Sequence, residues 1–67
     1  MPLNHTGLFI IRAWVEQGSS QPLRAQIRLT TDLANGFASE MTLADVHAVS
    51  AAVELWLRDV LLDGQRP

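Results

Sequence analysis

The chain has 67 residues, no cysteine and a net charge of −2; 48% of its residues are apolar and 18% charged. That length allows a single domain, and the lack of cysteine excludes disulfides, thiol catalysis and thiolate metal sites. The longest membrane-span candidate, in the last third, is broken by Glu54 and Arg58, and the first seven residues have neither the basic nor the apolar region of a secretory signal. The expected compartment is the cytoplasm, with no membrane association.

Charge is unevenly spread. Residues 1–31 carry three Arg against one Glu, whereas residues 32–67 carry six acids against two Arg. Every basic residue is Arg and none is Lys, which favours fixed bidentate contacts over loosely held point charges.

Residues 1–7 are expected as a flexible arm, since Pro2, Asn4 and Gly7 fit no period. Leu8–Glu16, LFIIRAWVE, is rich in branched and aromatic residues and reads as the first strand. Phe9, Ile11, Ala13 and Val15 form one apolar face; Leu8, Ile10, Arg12, Trp14 and Glu16 form the other. Apolar residues on both faces predict a central strand, or one covered by something besides its own helix. Gln17–Pro22 is a turn. Leu23–Thr31 alternates cleanly, with Leu23, Ala25, Ile27, Leu29 and Thr31 facing the core and Arg24, Gln26, Arg28 and Thr30 facing away. The two strands predict an antiparallel hairpin.

Asn35-Gly36 is a hairpin-turn signal, and Phe37–Met41 is expected to return as a short third strand. A two-residue turn there would put Phe37 and Met41 on the Arg28 face. Core placement for both, the expected outcome, needs a bulge or an odd-length connection.

The longest periodic stretch is 43–62, LADVHAVSAAVELWLRDVLL, expected as a helix capped by Thr42, with Asp45 three residues on, and closed by a left-handed Gly64. Leu43, Val46, Val49, Val53, Trp56, Leu57, Val60 and Leu61 fall on one broad face with Ser50 among them, and are expected to form the core side. The opposite side is unusually apolar. Ala44, Ala48, Ala51, Leu55 and Leu62 make a second strip, edged by His47, Glu54, Arg58 and Asp59. A sheet this small cannot cover both sides, so the strip predicts partner contact. The whole is expected to be one small α+β domain over 1–67: an antiparallel hairpin, with a short third strand, packed on one long C-terminal helix (β-β-(β)-α). Residues 65–67 are a tail.

No catalytic constellation stands out, and neither a cofactor nor a metal is expected. His47 and Asp45 are two apart on the expected helix and point in different directions. Asp59 and Asp63 satisfy the i,i+4 spacing of a shared cation but lack a third ligand. The glycines are too scattered to cradle a phosphate.

The functional expectation is therefore a non-catalytic association module, a homodimer or a small accessory subunit of a larger complex. Leu8, Ile10, Trp14, Ala44, Ala48, Ala51, Leu55 and Leu62 are its candidate protein-contact residues. The alternative is a single-stranded nucleic-acid-binding hairpin, in which Arg12, Trp14, Arg24 and Arg28 share the outer sheet face. There an indole could stack a base and the guanidinium groups could meet phosphates.

Overall fold

The computed structural model describes residues 5–37 and 39–65. They form a three-stranded antiparallel sheet packed against one long C-terminal helix, β-β-β-α. The strands are β1 (Leu8–Val15), β2 (Leu23–Thr30) and β3 (Ser39–Leu43), and the helix is α1 (Val46–Gly64).

The alternation in the sequence sets the register. Ile11 lies opposite Ile27, and Ile27 opposite Met41; Ala13, Ala25 and Leu43 form the next cross-strand row, and Phe9, Leu29 and Ser39 the one before. These rows make the helix-facing surface, since residues directly opposite share a face. Ile27 and Ala25 of the middle strand are the buried apolar residues, with Ile27 fully inaccessible. Strand order β1-β2-β3 makes β2 central and leaves β1 at an edge. The expectation of a central first strand is corrected: its apolar outer face reflects something other than two sequence-encoded neighbours.

The β2–β3 connection is not a two-residue turn at Asn35-Gly36 but the odd-length kind that core placement requires. Leu33–Asn35 forms one turn of 3-10 helix. The Asp32 carboxylate caps it, accepting from the Ala34 amide and from Asn35 Nδ2, each at 3.1 Å. Gly36 follows at φ +76°, which an L side chain rarely adopts. Nine residues separate the paired Leu29 and Ser39, an odd-length connection, and Met41 accordingly reaches the helix face opposite Ile27. Phe37 does not. It precedes β3, and its ring lies 4.7 Å from the Arg28 guanidinium, so the expected core placement held for Met41 and failed for Phe37. The third strand runs over 39–43 rather than 37–41.

Pairing with β2 also moves the helix start. Thr42 and Leu43 lie opposite Gln26 and Ala25, so their backbones belong to the sheet and Thr42 is not the cap. Asp45 takes that role, its carboxylate accepting from the Ala48 amide at 2.9 Å. Asp is a stronger cap than Thr, and its charge suits the positive end of the helix. Ala44, expected on the helix, precedes it. At the other end Gly64 is the last helical residue, and the left-handed glycines are Gly18 and Gly36 instead. The Gln65 amide closes the helix by donating to Leu62 O at 3.2 Å.

Nineteen residues give α1 a length of about 28 Å. Trp56 anchors it: Nε1 donates to Thr30 O at 2.8 Å, and the indole meets the Phe9 ring at a centroid distance of 5.1 Å and a tilt of 49°. Gly7 lets the helix come this close. A Cβ at Gly7 would lie 2.7 Å from Val60 Cγ2 and 3.0 Å from Thr30 O. Among residues of the expected arm, Thr6 O also accepts from the Leu33 amide at 2.7 Å, while residues 1–4 lie outside the described set.

Candidate functional site

Rotation about α1 sorts its apolar residues into three strips. Ala52, Trp56 and Val60 turn toward the sheet, all partly buried. Ala48, Ala51 and Leu55 turn toward β3 and line an open groove of about 460 Å³, floored by Leu29, Met41 and Leu43. The third strip, on the β1 side, carries Val46, Leu57 and Leu61, which are 64%, 53% and 60% exposed.

The expected core arc of the helix was therefore too wide. Val49, Val53, Trp56 and Val60 are partly buried, whereas Val46, Leu57 and Leu61, with Ser50, are exposed. A helix over a narrow sheet buries only the arc pointing at β2, and the flanks on either side stay in water. The sheet residues beneath the β1 flank are open too, with Ile11 45% and Val15 63% exposed on the helix-facing side. Sequence periodicity assigned all of these to the core. A signal for the contrary was available in the width of the arc, broader than one short hairpin and a five-residue strand can cover.

The residues expected at a protein contact fall on two surfaces. Ala48, Ala51 and Leu55 line the β3-side groove, and Leu62 continues their strip, 58% exposed. Leu8, Ile10 and Trp14 are on the opposite, outer side of the sheet, and all three are exposed. The structure thus does not bring the two sets together.

On that outer side the expected Arg/Trp face does assemble. Trp14 lies opposite Arg24, Arg12 opposite Gln26 and Ile10 opposite Arg28. The Arg12 guanidinium sits 5.3 Å from the Trp14 ring centroid, and the indole Nε1 points to Glu16 Oε1 at 3.4 Å. Arg24 meets Glu16 at 3.4 Å and donates to the carbonyls of Gln21 and Leu23. Arg28 reaches Glu40 at 3.8 Å, and Gln26 Nε2 donates to the same carboxylate at 3.1 Å. Acids from neighbouring chain segments thus meet two of the three guanidinium groups of the expected face at close range. Such exposed pairs contribute little to stability, but they neutralise the field that would draw phosphate.

Among the described residues no group of three or more His, Asp or Glu side chains is placed to hold a metal ion, and no helix is long and apolar enough to cross a membrane. His5 approaches Asp32 at 3.8 Å, and Arg58 pairs with Glu54 at 2.6 Å one helical turn away. Neither arrangement presents an oriented nucleophile. The fold defines a small α+β domain of β-β-β-α order with uncovered apolar flanks. No family model, curated protein or solved structure matches the chain.

Proposed function

We propose that this chain is a non-catalytic association module, a homodimer or a small subunit of a larger assembly, whose apolar flanks are completed by a protein partner. One observation carries the reading. Among the described residues the only buried apolar side chains are those of Ala25 and Ile27, whereas twelve large apolar residues stay exposed, from 36% at Leu8 to 64% at Val46. Single exposed leucines are ordinary on a monomer, but contiguous strips on both sides of one helix mark an interaction surface. Fully covering a Val, Leu or Ile stabilises by about 1.5–3 kcal/mol, so a partner over either flank would contribute a large share of the stability of so small a domain.

The nucleic-acid alternative draws its support from the Arg12–Trp14 stack. It is the weaker reading, because the acids Glu16 and Glu40 sit among the arginines of the same surface. Sedimentation at micromolar concentration tests the association reading: an assembled species, or a poorly folded chain that gains structure with a partner, is the expected result. A monomer with a sharp, concentration-independent melting transition and no captured partner would overturn it.

A further inference from the structure

Resting on the association reading, we infer that the partner is a second copy of this chain, joined to the first through the open edge of β1. The two sheets become one antiparallel six-stranded sheet, with a twofold axis at Ile11.

The hydrogen-bond phase of β1 carries the inference. The Glu16 amide donates to Pro22 O at 2.7 Å, and these two residues continue the β1–β2 register of Leu8 opposite Thr30 and Val15 opposite Leu23. Antiparallel pairs alternate between bonded and unbonded. The even-numbered residues of β1 are therefore bonded to β2, and the backbone groups of Phe9, Ile11, Ala13 and Val15 point away to the open edge. Eight residues long, that edge contains no Pro, no Lys and no break in register, the devices that normally block pairing with another chain. The β3 edge is shorter, five residues, and carries Ser39, Glu40 and Thr42.

Twofold symmetry then selects the register. With Ile11 opposite the second copy's Ile11, Phe9 falls opposite Ala13, Ile10 opposite Arg12 and Leu8 opposite Trp14, so bonded pairs use only outward-pointing groups. Apolar rows continue across the junction on the helix side, and on the outer side no charge faces its like. Moving the axis to Arg12 would set two guanidinium groups directly opposite each other, a destabilising pair. Moving it to Ile10 would shorten the ladder and leave Trp14 beyond it.

The same symmetry brings the exposed helix strip of Val46, Leu57 and Leu61 toward the second copy's Ile11 and Val15. This pairing would cover side chains that the single chain leaves open: Ile11, Val15, Val46, Leu57 and Leu61 are 45%, 63%, 64%, 53% and 60% exposed.

Single-cysteine variants test the pairing, because the chain has no cysteine of its own. A bonded antiparallel pair has its Cα atoms about 5.5 Å apart, within the disulfide range. Ile11→Cys, Arg12→Cys and Thr42→Cys are compared in the full chain at micromolar concentration under oxidised glutathione, beside sedimentation of the parent. The parent is expected to sediment as a dimer, and Ile11→Cys to cross-link at least about tenfold faster than the other two, since its thiols meet within a preformed complex. Ile11→Lys, at a position already half exposed, is expected to retain its helical circular dichroism and sediment as a monomer. A dimeric parent that cross-links faster through Thr42 or Arg12 would overturn the β1 pairing and leave the association reading standing. A folded parent that stays monomeric would overturn the pairing and self-association together. An unfolded parent rescued only by a different protein would overturn the pairing alone.

Discussion

Trp56→Phe isolates the contact that docks the helix. The indole Nε1 donates to Thr30 O at 2.8 Å, and Thr30 is 2% exposed, so no water replaces the lost donor freely. The net contribution of such a bond is about 1 kcal/mol. Contraction from indole to phenyl removes roughly another 1 kcal/mol of apolar contact against Gly7 and Phe9. The sum, about 2 kcal/mol, lowers the melting temperature of a domain this size by about 8–16 °C. Scanning calorimetry or circular dichroism at one fixed protein concentration reads the shift, because self-association would otherwise move it. Trp14→Phe is the control: its indole is partly exposed and its Nε1 contact with Glu16 is a long 3.4 Å, so it should change stability by less than about 0.5 kcal/mol. If Trp56→Phe melts within about 3 °C of the parent, or no lower than Trp14→Phe, the anchoring argument is refuted.

Gly7→Ala should cost about 1–3 kcal/mol by overpacking, because the new methyl meets Val60 and the immobile Thr30 carbonyl; the urea midpoint measures it, and an unchanged midpoint would mean the arm is not seated there. Asp45→Ala removes the bond to the Ala48 amide and should cost about 1 kcal/mol, most of it restored by Asp45→Asn. The two helix flanks should separate in sedimentation. Leu57→Glu with Leu61→Glu weakens a dimer joined through β1 by at least about tenfold in Kd, while Leu55→Glu with Leu62→Glu, on the β3 side, leaves it intact. The reverse ranking would place self-association on the β3-side groove instead.

The strands and the helix were legible because their periods are strong: Leu23–Thr30 alternates without exception, and α1 keeps its apolar repeat to its last turn. Their ends were less so. Thr42 and Asp45 are both good caps, and only the pairing of Thr42 with Gln26 decides between them. Phe37 was misplaced because its fate depends on a connection of unusual length, closed by a capped 3-10 turn that Asn35-Gly36 alone does not signal. The candidate surfaces were half legible. Leu55 and Leu62 stood out as a surplus strip, but Ile11, Val15, Val46, Leu57 and Leu61 satisfied every sequence criterion for a core. Burial is a property of what lies opposite, and periodicity reports only which way a side chain points.

The position of β2 also dictates the order in which the molecule comes apart. It is bonded along both sides and holds Ala25, Ile27 and Thr30, the buried residues of the described chain. The helix, in contrast, rests on the sheet through a narrow strip centred on one indole. Opening therefore costs least where α1 lifts from a hairpin that remains paired, a sub-global event of lower free energy than complete unfolding. In native-state hydrogen exchange the β2 amides should be the last to exchange, with those of α1 escaping earlier and showing weaker dependence on denaturant. Refolding should run the other way: the local β1–β2 pairing, closed by a short turn, requires less loop entropy than bringing Trp56 back across 26 residues to Thr30. A chain caught between these steps presents the whole apolar face of its sheet, which makes the rate of helix docking the quantity that governs its loss to aggregation.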